Sequence, residues 1–325
     1  MTKYEVMSLL QETNSKGWKI FHSYVDEKDK SKLEFLWKEV EALFESQNAS
    51  QQFKELSIHK SSNNHSTILH ISAYCKSIEF QQTLWKLLLQ TFKNSEVLKE
   101  LTVKKDKQNE SFVHNLVIYN EANVIEWIFV IFFNNLQFQE ILRTKGIYKR
   151  ILFQIATNKS KDIKIHQILW KTFQNSCGSA EFLEILTDID EDCCNIFQIA
   201  AYYTTSEIFE FMFQELDKVA SRDQIKKLLS NLDFKKQHIL QTAVKFNKFL
   251  ELHGTLWKVL KKIFEPLEIL QIIKHFDSYG KTTLVLATVE NTKDIVGLTW
   301  KEISEVIINN NFSNEEEKSG SVLQM

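Results

Sequence analysis

Residues 66–92 read STILHISAYCKSIEFQQTLWKLLLQTF. The pair Leu69-His70 opens this stretch and Leu84-Trp85-Lys86 follows in its second half. A catalytic or binding group occurs once in a chain, whereas a structural phrase returns at a fixed period. Aligned on His70, the same slot holds His22, His70, His114, Gln154, Gln198, Gln241 and Val285, in steps of 48, 44, 40, 44, 43 and 44 residues. Trp37, Trp85, Trp127, Trp170, Trp257 and Trp300 follow these anchors by 13 to 16 residues. The repeat anchored on Gln198 carries Phe211-Met212-Phe213 there instead. Leu-Trp-Lys is intact at 36–38, 84–86, 169–171 and 256–258. The phrase is therefore structural, and the chain is a stack of repeats.

Each repeat divides into helical pieces. A short first helix, such as 67–76, carries a small residue two places after the anchor: Ser72, Ala156, Ala200, Ala243 and Ala287, with Leu116 as the exception. A longer second helix, such as 79–92, places Phe80, Leu84, Leu87, Leu88 and Phe92 at helical spacing. A third short helix is expected at 95–102, 138–143, 180–187, 222–231 and 266–275. Asn94-Ser95 and Ser221 suit N-caps, and Pro266 suits a first helical turn. The expected repeat core is Trp37, Leu69, His70, Trp85, His114, Trp127, Trp170, Ala200, Trp257, Leu284, Ala287 and Trp300. A buried Trp removes roughly 150–250 Å² from water, worth roughly 4–6 kcal/mol gross at ~25 cal/mol/Å². One helical hairpin cannot shield such a face, so the repeats are expected to be stable only as an array.

Composition agrees. The 325 residues include seven Gly and one Pro, too few for a turn-rich β fold. Hydrophobic and charged fractions of 43% and 25% mark a folded, soluble chain. A net charge of −2 lacks the basic footprint of a general nucleic-acid binder. Cys75, Cys177, Cys193 and Cys194 do not form a secreted disulfide framework. The first 18 residues lack the apolar core of a signal peptide. The most apolar run, VIEWIFVIFF at 124–133, is too short to span a bilayer and reads as a buried helix. A cytoplasmic or nuclear location is expected.

The stretch Asp277-Ser-Tyr-Gly280-Lys-Thr282-Thr-Leu284-Val-Leu-Ala287 resembles the ankyrin pattern D-x-x-G-x-T-P-L-H-x-A. Asp106-Lys-Gln-Asn109-Glu-Ser111-Phe-Val113-His114 fits the same frame, and Thr67-Ile-Leu69-His70-Ile-Ser72-Ala73 resembles its second half. The Asp slot holds Ser62, Asp106, Gly146, Asp190, Asp233 and Asp277. The resemblance covers residues 19–310 and implies an all-α, ankyrin-like helical-repeat solenoid with one additional short helix per repeat. TPR and HEAT arrays are the competing readings; HEAT has a comparable period, but the D-x-x-G-x-T-x-L frame argues for the ankyrin-like version. Ankyrin repeats run about 33 residues, and these are longer. Among the turn slots, Gly280 keeps the glycine and Asn109 tolerates a left-handed backbone. His65, Lys149, Cys193 and Lys236 suit that slot less, so remodelled fingers are expected. Residues 1–18 are read as an N-terminal capping helix, the repeat around His22 as a degenerate cap, and residues 311–325 as a disordered acidic tail.

No motif carries chemistry. His59, His65 and His70 do not match zinc spacing, and Asp190, Glu191 and Asp192 beside Cys193 and Cys194 oppose thiolate formation. No catalytic, metal or cofactor residue is expected. The resemblance implies a non-enzymatic adaptor, monomeric when unbound, that takes a partner protein through a concave face and inter-repeat fingers. The expected contact residues are Asn63, Asn64, His65, Lys107, Gln108, Asn109, Glu110, Glu191, Asp192, Lys235, Lys236, Gln237, Ser278, Tyr279 and Lys281. The alternatives are an enzyme or regulatory subunit with a cysteine site assembled across repeats, and, more remotely, a nucleic-acid binder.

Overall fold

The computed structural model describes residues 3–43, 49–92, 95–135 and 142–322. Among these residues every regular element is helical, and the only β feature is an isolated bridge between Lys105 and Ser111. The fold is an all-α helical-repeat solenoid. After α1 (Lys3–Gln11), each repeat opens with a short helix: α2 (Ile20–Glu27), α5 (Ile68–Ser72), α8 (Phe112–Tyr119), α10 (Leu152–Lys159), α13 (Ile196–Tyr203), α16 (Ile239–Phe246) and α19 (Thr283–Glu290). A longer helix follows in each: α3 (Lys30–Leu43), α6 (Ile78–Thr91), α9 (Ala122–Asn135), α11 (Ile163–Ser176), α14 (Ser206–Asp217), α17 (Leu250–Ile263) and α20 (Lys293–Val322). The third helices are α4 (Ala49–Ile58), α7 (Ser95–Val103), α12 (Ser179–Thr187), α15 (Arg222–Leu229) and α18 (Pro266–Lys274). The third helix expected at 138–143 lies mostly outside the described residues, as does the cap expected at Asn94. Ser221 does cap α15, accepting from the Gln224 amide at 3.3 Å, and Pro266 opens α18.

The chain divides into two compact lobes, Met1–Ala156 with Gln167–Gly178, and Thr157–His166 with Ser179–Met325. Within the first, α2 packs on α5 and α5 on α8; within the second, α13 packs on α16 and α16 on α19. The small residues two places after the anchor permit this approach, and Ser72, Ala156, Ala200, Ala243 and Ala287 are all buried.

The tryptophan register needs one correction. Trp37, Trp85, Trp170 and Trp257 are buried, and each is the eighth residue of its second helix. Trp127 is the sixth residue of α9, about 200° round the helix from that position, and is only half-buried. The eighth residue of α9 is Phe129, which is buried, as is Phe213 at the same place in α14. The repeated core group is thus a large aromatic counted from the start of the helix. Trp37 stacks on Phe53 with ring centres 4.5 Å apart and donates from Nε1 to Thr91 Oγ1 at 2.9 Å. Trp170 meets Phe153 edge-on at 5.7 Å. Trp300 also departs from the expectation: it is 60% exposed, and Leu284 in the same repeat is half-buried. The apolar run at 124–133 buries one face through Val124, Ile125, Ile128 and Phe129, while Val130 is exposed.

Residues 311–322, read from sequence as disordered, continue the backbone of α20. Glu315, Glu316, Glu317 and Lys318 are good helix formers, and no Gly or Pro interrupts the helix between Trp300 and Ser319.

Candidate interaction surface

Four of the fingers between repeats are each built on one aspartate. The Asp106 carboxylate accepts from the Gln108 and Glu110 amides at 2.9 and 3.0 Å. Asp190 accepts from Asp192 and Cys194, both at 2.9 Å. Asp233 accepts from Lys235 and Gln237, both at 2.8 Å, and Asp277 from Tyr279 and Lys281, both at 2.9 Å. Such a side chain closes a tight turn by imitating a backbone carbonyl. Backbone bonds close it further: Asn109, Cys193, Lys236 and Gly280 amides donate to the carbonyls of Asp106, Asp190, Asp233 and Asp277 at 2.9–3.1 Å.

The four aspartate turns are regular, whereas the finger at 146–150 is remodelled, with Tyr148 left-handed beside Lys149, and the finger at 61–66 closes through a longer bond from the His65 amide to the Ser61 carbonyl. The residue five before each anchor is left-handed in every repeat: Gly17, His65, Asn109, Lys149, Cys193, Lys236 and Gly280 have φ between 54° and 70°. Hydrogen bonds on both sides of the turn hold non-glycine residues in a conformation that costs them roughly 1–2 kcal/mol. At Gly17 the first repeat, read from sequence as a degenerate cap, keeps the same left-handed turn. Its Asn14 carboxamide oxygen accepts from the Lys16 and Trp18 amides at 2.9 and 3.1 Å, as the aspartates do elsewhere. A β-carbon on Gly17 would lie 2.5 Å from the Ser62 amide nitrogen, so the site needs glycine for space as well as for φ.

Neighbouring fingers are tied by their backbones. The Lys107 amide donates to the Asn64 carbonyl at 2.9 Å, Phe234 to Asp192 at 3.0 Å, and Ser278 to Lys235 at 2.8 Å. The anchors supply a second tie. His70 accepts at Nδ1 from the Thr67 amide at 3.1 Å, so its Nε2 carries the proton and donates to the Glu110 carbonyl at 3.1 Å. His114 does the same with the Ser111 amide and the Thr144 carbonyl, at 3.1 and 2.9 Å. Glutamine reproduces both halves. Gln198 Oε1 accepts from the Asn195 amide at 3.1 Å while Nε2 donates to Asn231 and Gln237 carbonyls at 3.0 and 3.3 Å. Gln241 accepts from His238 and donates to His275 and Lys281 carbonyls. His22, His70 and His114 are fully buried, and burial lowers their pKa values, to about 4 for His22 and His114.

The expected contact residues separate on this frame. Asn63, Asn64, His65, Lys107, Gln108, Asn109, Glu191, Lys236, Ser278 and Tyr279 are exposed, and Asp192, Lys235 and Lys281 are half-buried. Glu110 and Gln237 are buried and face inward. Glu110 Oε1 accepts from the Ile147 amide at 3.2 Å, and Gln237 Nε2 donates to Asp277 Oδ2 at 2.7 Å. Both belong to the joint between repeats. Sequence reasoning missed Phe234 and Phe276, which are 56% and 63% exposed beside Tyr279 at 65%. The Lys235 ammonium lies 5.0 Å from the Phe234 ring, and Lys245 lies 5.7 Å from Tyr279. The ends of the first helices carry further aromatics: Tyr202 stacks on Phe246 at 4.2 Å, and Tyr74 meets Tyr119 at 4.4 Å.

Cys193 serves as a turn residue, and the Cys194 thiol points at the Asp192 carbonyl, 3.6 Å away. Among the described residues no group of three or more His, Cys, Asp and Glu side chains is placed to hold a metal, and no helix is long and apolar enough to cross a membrane.

No family model matches the chain, and no curated protein matches it in sequence. Solved structures do match in shape. One is the ankyrin repeat domain of Bcl-3, described as a unique member of the IkappaB protein family, with a TM-score of 0.51 and 10% identity over 89% of this chain and 99% of that one. A second is the predatory endopeptidase Bd0816 from Bdellovibrio bacteriovorus in complex with immunity protein Bd3460, with a TM-score of 0.47 and 14% identity over 73% of this chain and 96% of that one. Aspartate turns, left-handed slots, His or Gln anchors and the match to Bcl-3 together make this chain an ankyrin-like repeat protein in fold.

Proposed function

We propose that the chain is a non-enzymatic scaffold that binds another protein through its fingers and the exposed ends of its first helices. One observation carries this reading. Phe234, Phe276 and Tyr279 stand exposed on fingers whose backbones are already fixed by Asp233 and Asp277 and by the bonds from Phe234 to Asp192 and Ser278 to Lys235. Aromatic side chains on a rigid frame lose little freedom on binding and are frequent interface anchors. Lys235, Lys236 and Lys281 lie on the same fingers and supply polar contacts at the rim. In the other lobe Asn63, Asn64, Lys107 and Gln108 present a wholly polar finger surface.

The test is an affinity pull-down from source tissue with quantitative mass spectrometry. The wild-type chain is run beside a Phe234→Ala, Phe276→Ser, Tyr279→Ala triple variant. Proteins retained by the first and lost by the second support the reading. Equal retention by a folded triple variant removes these fingers from the binding surface.

A further inference from the structure

The fingers that precede α16 and α19, at 231–238 and 275–282, contain Asp233 and Asp277 as their only acidic residues. Both aspartates are buried, and their carboxylates are spent on turn amides, that of Asp277 also on Gln237 Nε2 at 2.7 Å. The charge these fingers show to solvent is therefore that of Lys235, Lys236 and Lys281. Lys281 reaches Glu290 at 3.8 Å, while among the described residues no ion pair holds Lys235, Lys236 or Lys245. Two of these ammonium groups rest on rings instead. Lys235 lies 5.0 Å from the centre of Phe234. Lys245, from α16, lies 4.9 Å from Phe246 and 5.7 Å from Tyr279, so it joins its helix to the neighbouring finger. A cation held over an aromatic face keeps its charge at the surface with less freedom than a fully solvated side chain.

We propose that this pair of fingers takes an acidic segment of a partner protein, Asp and Glu side chains pairing with Lys235, Lys236 and Lys245 while apolar side chains cover Phe276 and Tyr279. The proposal rests on the protein-binding reading above and adds the chemistry of the partner. Charge complementarity selects that chemistry. The rings of Phe234, Phe246 and Tyr279 each have a lysine against them already, so an incoming cation meets a like charge where a carboxylate meets an opposite one. Carboxylates on ammonium groups also form the stronger, charge-assisted hydrogen bonds. The adjoining finger sets the length of the segment. It carries Glu191, exposed, and Asp192, half-buried, and the Asp192 carbonyl takes the Phe234 amide at 3.0 Å. A long polyanion such as nucleic acid, laid along the row of fingers, runs from the lysines onto these carboxylates. A short acidic segment of polypeptide ends before them.

The probe is a display library of short random peptides, selected on the full chain at low salt, with the binders then measured by fluorescence polarisation. The selected peptides are expected to be rich in Asp and Glu and to weaken about fivefold or more between about 50 and about 300 mM salt. A Lys235→Gln, Lys236→Gln, Lys245→Gln variant of unchanged circular dichroism is expected to lose about tenfold in affinity. The matching Lys235→Arg, Lys236→Arg, Lys245→Arg variant keeps the charges and is expected to keep the affinity. Neutral or basic peptides whose binding is lost in the Phe234→Ala, Phe276→Ser, Tyr279→Ala variant overturn the acidic partner and leave the protein-binding reading standing. Acidic peptides indifferent to both the glutamine and the aromatic variants bind elsewhere and overturn the proposal, as does a selection that yields no binder. A single-stranded oligonucleotide that displaces the peptides at equal affinity overturns it in favour of a general polyanion site.

Discussion

His70 and Glu110 are joined across a repeat boundary by a bond that uses only one atom of each: Nε2–H of His70 and the main-chain oxygen of Glu110, 3.1 Å apart. Because the acceptor is backbone, the bond survives any side chain at 110. Because His70 Nδ1 is an acceptor for the Thr67 amide, the donor end of the ring is fixed. Glutamine offers the same acceptor and donor, as Gln198 and Gln241 demonstrate. His70→Gln is therefore expected to lie within about 1 kcal/mol of wild type in urea denaturation. His70→Leu strands a buried amide and a buried carbonyl and is expected to cost about 2–4 kcal/mol. Equal losses for the two variants would show that ring packing, rather than the bonds, sets the role of this side chain.

His238 makes a pH prediction. It is buried, accepts at Nδ1 from the Leu240 amide at 3.2 Å and donates from Nε2 to the Ile272 carbonyl at 2.6 Å. Burial lowers its pKa from 6.5 to about 3. The unfolded chain then binds the proton more readily than the folded one, so stability is intact above about pH 6.5 and declines as pH falls toward 3. Asn195 holds the same place in the preceding repeat, accepting from the Phe197 amide and donating to the Leu228 carbonyl. His238→Asn is expected to fold and to reduce the acid dependence over that window. Parallel stability curves for the two proteins from pH 7 to acid would contradict the assignment.

Left-handed residues allow a gain of stability. Lys236 has φ 58° on an exposed finger, and its side chain is not needed by the turn. Lys236→Gly is expected to raise stability by up to ~1 kcal/mol, the strain relieved being partly offset by greater freedom of the unfolded chain. Gly17→Ala is expected to lower it by more than ~2 kcal/mol, since the added carbon meets both an unfavourable φ and the Ser62 backbone. Thermal unfolding of both variants checks the two signs together.

The tryptophans are unequal although their spacing is alike. Trp170→Ala is expected to cost about 3–5 kcal/mol, whereas Trp300→Ala should change the stability of the single chain by less than about 0.5 kcal/mol. Similar effects from both substitutions would mean that Trp300 is covered within its own chain.

The repeat was legible because its largest side chains are spent on it. Five tryptophans at near-constant distance from a His or Gln, with a sixth at the same distance from Val285, cannot arise from surface sequence. The aspartate frame was legible at Asp106, Asp190, Asp233 and Asp277 for the same reason, one residue type fixing one turn. What escaped the sequence was compensation. Cys193, Lys149 and His65 look unfit for a left-handed slot, yet the hydrogen bonds around them impose it. Asn14 and Gly17 carried the complete turn signal in the first repeat, though its other positions obscured it. Glu110 and Gln237 look like finger-tip residues in composition. Their place immediately after the left-handed residue turns them inward, and that position was the available signal. Phe129 stands 15 residues after His114, as Trp37 and Trp85 do after their anchors, and was hidden only because Trp127 two residues earlier is the larger aromatic.

The amides of Lys107, Phe234 and Ser278 lie on surface loops but are bonded to the finger of the preceding repeat. Surface amides ordinarily exchange with solvent within moments. These three can exchange only when a particular joint opens. Deuterium uptake at each is thus a clock for one boundary, and the spread among the three rates measures whether a lobe parts at one seam or yields along its whole length.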